Sequence, residues 1–146
     1  MIPKQLRIHA VLIVACLAMI LIPLYNQSPD DEKVEQALPV AVEFLALIDS
    51  GKYAESWQSS ASLMRAKVKQ QDWTDKLDKA RSLSGGLVQR VQKSASYATV
   101  AKDSPEGEYI MLIYESDFQA AEDVSEYVTV MLEGEEWKVA GYFMHQ

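Results

Sequence analysis

Few residues in this sequence have the type and spacing for acid or base chemistry, and they gather late in the chain. Tyr114 and Ser116 in "YESDF" and Glu126 in "SEYV" fall on two strand-like stretches, where a period of two puts them on one face of a sheet. Phe143 is expected on the same side. A carboxylate beside apolar groups and a phenol can have a raised pKa and serve as acid or base. The plainer reading, preferred here, is that Glu126 lies near a strand end and reaches solvent. Trp57, Trp73 and Trp137 could line a ligand pocket, although large aromatics at helical or strand spacing more often belong to a core. The pocket candidates are therefore Trp57, Trp73, Tyr114, Ser116 and Glu126, with no catalytic residue assigned.

Composition removes most other chemistry. The 146 residues include one cysteine, Cys16, and two histidines, His9 and His145. No disulfide framework, Cys-based metal site, Ser-His-Asp triad or Cys-His pair is available to the body of the chain. Gly85-Gly86 leaves a helix for a strand with no Lys-Ser or Lys-Thr after it, so it is not a phosphate loop. "EGEE" (133–136) reads as a hairpin turn, not a calcium loop. No metal or cofactor is expected.

The charge excludes another class. Two of the 14 basic residues, Lys4 and Arg7, precede the apolar leader, so the rest of the chain sets 12 basic against 21 acidic residues. That balance argues against nucleic acid as a partner. Lys52 to Lys102 carries 10 basic and 4 acidic residues, and Asp103 to Gln146 carries 1 and 11. A solvated surface with a dipole is the simpler account of this split; a docking surface for a charged partner is the other.

The elements that must position these residues follow a leader. Residues 10–25 hold no charge, about 24 Å of helix, at the short limit for crossing a bilayer. Lys4 and Arg7 before the run and Asp30, Asp31 and Glu32 after it place the N-terminus in the cytoplasm and the domain outside. A retained single-pass anchor at 1–25 ranks first, because no good small-x-small cleavage site follows. A cleaved signal and a soluble periplasmic protein rank second, and lipidation at Cys16 in "IVAC" third. Residues 26–32 read as a linker, and 33–146 as one α+β domain.

In that domain Val34, Leu38, Ala41, Leu45 and Ile48 recur at helical spacing, with Gly51 as the stop. Pro39 should either start this helix or kink it. "YAESWQSSA" offers a short turn with Tyr53 and Trp57 on one face, Ser62 a cap for "LMRAKVK", and "QQDWTDKLDKAR" a helix with Trp73, Leu77 and Ala80 inward. From Leu87 the period becomes two, and four strands follow as an antiparallel meander. The fold class is α+β, with N-terminal helices packed on one face of a four-stranded antiparallel sheet.

If Gly134-Glu135 form the last turn, Leu132 pairs with Trp137, Val130 with Val139 and Val128 with Gly141. If "QAAED" (119–123) is a loop, Tyr114 pairs with Val128, Leu112 with Val130 and Ile110 with Leu132. The helices then cover Ile110, Leu112, Tyr114, Val128, Val130, Leu132, Trp137 and Val139. Tyr109, Met111, Ile113, Tyr127, Thr129, Met131, Tyr142 and Met144 fall on the opposite face, which is too apolar for water. Tyr109, Met111, Ile113, Tyr127, Met131, Tyr142 and Met144 are accordingly the interface candidates, for a second copy of the chain or another envelope protein.

"FLALIDSGKYAESWQSSA" (44–61), "QDWTDKLDKAR" (71–81), "GEYIMLIYESDF" (107–118) and "EWKVAGYF" (136–143) together resemble a family of small exported bacterial proteins of unknown function. The resemblance implies a nuclear-transport-factor-like (ketosteroid-isomerase-like, cystatin-like) cone, in which helices close over a curved sheet. It transfers no catalytic residue. The sum is an envelope protein that is a non-catalytic binding or self-association module, anchored to the membrane by its leader. The alternative is a small-molecule binder or weak acid/base enzyme using the cone interior, with Glu126 as base and a tyrosine as donor.

Overall fold

The computed structural model describes residues 29–146, and Lys33–Gln146 form one compact unit. The leader, Cys16 and residues 26–28 lie outside the described residues, whereas 29–32, expected as linker, already belong to the first helix. Among the described residues four helices precede four strands: α1 Pro29–Asp49, α2 Tyr53–Ser59, α3 Ser62–Lys67, α4 Gln70–Ser84, then β1 Leu87–Ala98, β2 Tyr109–Phe118, β3 Ala121–Glu133 and β4 Glu136–His145. The sheet order β1-β2-β3-β4 is a meander, antiparallel throughout. No described helix is long and apolar enough to cross a membrane.

The α1 stripe buries Ala37, Ala41, Phe44, Leu45 and Ile48. Pro39 neither begins nor ends this helix but lies inside it, on the exposed side, where its missing N–H deprives no buried acceptor. At the other end Gly51 adopts φ +76°. Its N–H donates to Ile48 O at 3.0 Å while the Lys52 N–H donates to Leu47 O at 2.8 Å. This pair of bonds, with glycine in the left-handed position, closes the last turn.

The expected cap of α3 is corrected. Ser62 is the first helical residue, and Ala61, in the capping position, offers no side-chain bond. The Glu133 carboxylate, from the β3–β4 hairpin, accepts the Ser62 N–H at 3.2 Å and also the Ser62 hydroxyl. Ala61 N–H donates to Val139 O at 2.8 Å, so the start of α3 is fastened to β4 by backbone and to the end of β3 by the Glu133 side chain.

Helices cover one sheet face, and Phe44, Ile48, Trp73 and Leu77 form a single core with Ile110, Leu112, Tyr114, Val128, Val130 and Val139. The face assignment of β2 agrees with the sequence, but its partners are moved by two residues. Tyr114 pairs with Glu126, Leu112 with Val128 and Ile110 with Val130. "QAAED" is not a five-residue loop: Phe118 pairs with Ala121 across a tight turn, and the strand continues through Glu122 and Asp123. A two-residue shift leaves every side chain on its face.

The β3–β4 pairing departs more seriously. Leu132–Trp137 and Val130–Val139 pair as expected, but the register shifts between Thr129 and Val130, so Thr129 meets Gly141 and Val128 meets Tyr142. A bulge at Ala140 thus inserts one residue and exchanges the faces beyond it. Tyr142 turns inward, with ring centroids 5.9 Å from Phe44 and 6.2 Å from Trp73. Met144, opposite Glu126, goes with it. Phe143 turns outward, opposite Tyr127, reversing the expected placement of all three.

Capping across 71 residues predicts a specific weakness. Glu133→Ala is expected to lower the unfolding free energy by about 1 kcal/mol, as loss of a helix cap does, measured by urea titration. The bond to Ser62 holds the Glu133 carboxyl below its ordinary 4.5. Its contribution is present above that value and lost as pH falls through the lower folded-state pKa, so the deficit of the variant should shrink in acid.

Candidate functional site

Glu126 stands on β3 where the helices close over the sheet, and it is fully buried. The expectation that it reaches solvent is therefore corrected. Arg90 on β1 donates from Nε to Glu126 Oε2 at 2.7 Å and from Nη2 to Oε1 at 3.0 Å. Ser116 Oγ donates to Oε2 at 3.2 Å and Tyr142 OH to Oε1 at 3.1 Å. Four donors fill the roughly four acceptor positions of a carboxylate.

The same guanidinium faces a second acid. Arg90 Nη1 and Nη2 donate to Asp49 Oδ2 and Oδ1 at 2.7 and 3.0 Å, and Arg81 Nη2 adds a bond to Asp49 Oδ1 at 2.9 Å. Arg81 Nη2 also lies 3.6 Å from Glu126 Oε1, and its guanidinium stacks 4.5 Å over the Phe118 ring. Two cations and two anions so form a neutral cluster at the junction of α1, α4, β1 and β3.

Electrostatics follow from that closure. Burial pulls the Arg90 pKa down, but its bonds to Asp49 and Glu126 outweigh this and hold it above the ordinary value. Burial, with Glu126 beside it, pushes the Tyr142 phenol far above its usual range. Burial likewise raises Tyr114, with Arg90 opposing in part. Both phenols are neutral; Tyr142 donates to Glu126, and the buried Tyr114 hydroxyl has no protein partner. A carboxylate with every lone pair occupied by fixed donors has no position left for a substrate proton, so the arrangement suits holding elements together better than acid/base transfer.

The five pocket candidates divide. Tyr114, Ser116 and Glu126 come together in this packed interior. Trp57 is half-buried and donates to Val68 O at 2.8 Å; Trp73 is buried and donates to Ser56 Oγ at 3.0 Å. Trp73 also lines two hollows, one of about 370 Å³ and one of about 390 Å³, which share Val68, Trp73, Tyr142 and Phe143. Glu126, Ser116 and Tyr114 line neither. Among the described residues no group of three or more His, Cys, Asp or Glu could hold a metal ion.

The interface candidates divide too. Met111 is 41% exposed and Ile113, Tyr127 and Met131 are half-buried on the outer face. Tyr109 is not available there: the 99–108 connection covers it, with Pro105 O accepting its hydroxyl at 2.6 Å. Phe143 replaces Tyr142 and Met144 on this face, 58% exposed and stacked on Tyr127 at 4.4 Å with 2° between the rings.

Asp49, Arg81 and Arg90 escaped the sequence reading. One signal was present: Asp49 sits in the last turn of α1, where no basic residue balances the negative end of the helix dipole. A carboxylate there is disfavoured unless cations are brought from elsewhere. Arg81, four residues after Leu77 on the buried side of α4, was the available source.

Helices on one face of an antiparallel meander, pinned by a buried ion cluster, define a small α+β domain. The chain belongs to the family described as a protein of unknown function (DUF4019), which matches residues 40–142. The matched span contains the whole cluster. No curated protein matches the chain.

If Glu126 is an ion-pair partner, Glu126→Gln should cost about 3–5 kcal/mol of unfolding free energy, because Arg90 is left buried and half-paired. Arg90→Lys should not spare the protein, since an ammonium cannot reproduce two bidentate contacts. Replacing both Arg90 and Glu126 by Met should cost less than the two single losses added. Denaturant titration of the three variants decides the matter, and an unaltered Glu126→Gln protein would contradict the assignment. The Tyr142 phenol contributes stability that is present below its ordinary pKa of 10.0 and lost as pH rises above it. Tyr142→Phe should accordingly flatten the alkaline decline seen in thermal melts.

Proposed function

We propose that this chain is a non-catalytic binding module of the bacterial envelope that meets a protein surface, in the simplest case a second copy of itself, through its outer sheet face. One observation carries the reading. On that face half-buried Tyr127 stacks on exposed Phe143 and lines the same hollow as exposed Met111. Aromatic and methionine side chains grouped on a surface are the composition of association sites.

Interior chemistry is the weaker reading, because Glu126 is saturated by Arg90, Ser116 and Tyr142. The arrangement of helices over one face is consistent with a nuclear-transport-factor-like cone whose interior has been filled. Export and retention by the leader complete the proposal: the charge-free run after Lys4 and Arg7 would tether the domain at the outer side of the inner membrane.

Tyr127→Glu and Met131→Glu should each convert a self-associated full-length protein to monomer in sedimentation while its circular dichroism is preserved. A wild-type protein that is monomeric throughout and crosslinks to no partner in intact cells rules the proposal out. The mass of the mature protein tests the anchor: the full-length value is expected, and an N-terminus after Tyr25 would indicate a free periplasmic domain.

A further inference from the structure

The 99–108 connection does more than cover Tyr109. Asp103 in this connection takes the left-handed conformation, φ +56°, which aspartate tolerates better than most residues. Its carbonyl accepts Lys67 Nζ at 2.8 Å, and Ser104 Oγ lies 3.4 Å from the same ammonium. Gly107 N–H donates to Thr99 O at 3.1 Å. The connection is thereby latched to the end of α3, and the hollow of about 370 Å³ lies between it and the sheet.

The floor of the hollow is a row across three strands, Met111, Thr129 and Gly141, paired in that order. Gly141 matters for the absence of a side chain. The nearest atom to a Cβ built there would be Thr129 Cβ, at 4.0 Å, so the space above the row is open. Tyr127 and Phe143 wall one side with their stacked rings. Lys67 and Lys102 stand at the rim with Ser104, and no carboxylate contributes to the lining.

That last feature runs against the composition, a chain of formal charge −7. Lys67 uses two of its three N–H donors on the connection, leaving one. Lys102 is exposed and makes no ion pair among the described residues. An apolar, aromatic-walled space with cationic donors at one edge recognises a flat apolar body that carries a negative group. The volume is at the small end for such sites.

We propose that this hollow binds a compact aromatic anion, a carboxylate or sulfonate on one or two fused rings, with the anionic group at Lys67, Lys102 and Ser104 and the rings against Tyr127 and Phe143. The site goes beyond the association proposed above. It shares Met111, Tyr127 and Phe143 with the association face and adds Lys67, Lys102 and Ser104; sedimentation reads the association, and the preference for an anion reads the site, so the two failures are distinguishable.

Calorimetric titration of the full-length chain in a neutral detergent, with detergent alone as blank, tests it using naphthalene-2-sulfonate and its uncharged counterpart, naphthalene-2-sulfonamide. One sulfonate is expected to bind per chain, about tenfold or more tighter than the sulfonamide, and more weakly as salt is raised. Lys102→Glu should abolish the preference for the sulfonate while sedimentation of the protein is unchanged. Gly141→Leu should abolish binding of both compounds by filling the floor; since that change could also disturb β4, Lys102→Glu is the deciding variant. Equal affinity for the two compounds, an unchanged sulfonate affinity in Lys102→Glu, or no binding at all would overturn the proposal.

Discussion

The structure depends on how Arg90 satisfies two acids at once. Its guanidinium has five donors in a planar fork, and in this fold four of the bonds it makes divide evenly between Glu126 on the sheet and Asp49 at the end of α1. Remove that cation and both carboxylates lose their principal partner, one of them in a fully buried place. Burial of a charge is tolerated only where pairing and hydrogen bonds are nearly complete. The cluster therefore fixes the approach of α1 and α4 to the sheet more sharply than apolar packing would, since apolar contacts tolerate sliding and a doubly bidentate guanidinium does not.

This constraint explains why the interior resembles a site in its residue types and differs from one in its bonding. A carboxylate, a serine and two tyrosines converge near the helices, as they would in an acid/base enzyme. The difference lies in the arginines. A base must keep a lone pair free and a route to it open, whereas Glu126 has neither: Arg90, Ser116 and Tyr142 surround it and its exposure is zero. The two phenols are held neutral by burial, and of them Tyr142 donates to the carboxylate. The ion pairs join four elements at this point.

Much of the fold was legible because its signals are local. The α1 stripe, the Gly51 stop, the change of period at Leu87 and the Gly134 turn each depend on residues close in sequence, and each lies where the pattern placed it. The β2–β3 register was misjudged by two residues without moving any side chain to the wrong face, because a strand repeats every two. The bulge at Ala140 has no such protection. A single inserted residue obeys the alternation before and after it, so the pattern "WKVAGYFM" contains nothing to show that Tyr142 and Phe143 exchange faces. Arg90 was hidden for a different reason: its partner Asp49 is 41 residues away, and neither charge looks unusual in its own segment.

The bulge also links the two halves of the molecule's chemistry. Consecutive strand residues serve opposite sides, and because the bulge reverses the facing of β4 it is Tyr142 that joins Phe44 and Trp73 and donates to Glu126, while Phe143 stacks on Tyr127 outside. In a regular strand Tyr142 would face out and Glu126 would lose one of its four donors, while the outer stack would lose the ring that completes it. The inserted residue further brings Gly141 opposite Thr129, and this opens the floor of the outer hollow. One backbone irregularity thus completes the buried ion cluster on one face and shapes the exposed aromatic surface on the other. Any change that straightens β4 must disturb both, whereas a change confined to Phe143 or Lys102 reaches the outer surface and leaves the cluster intact.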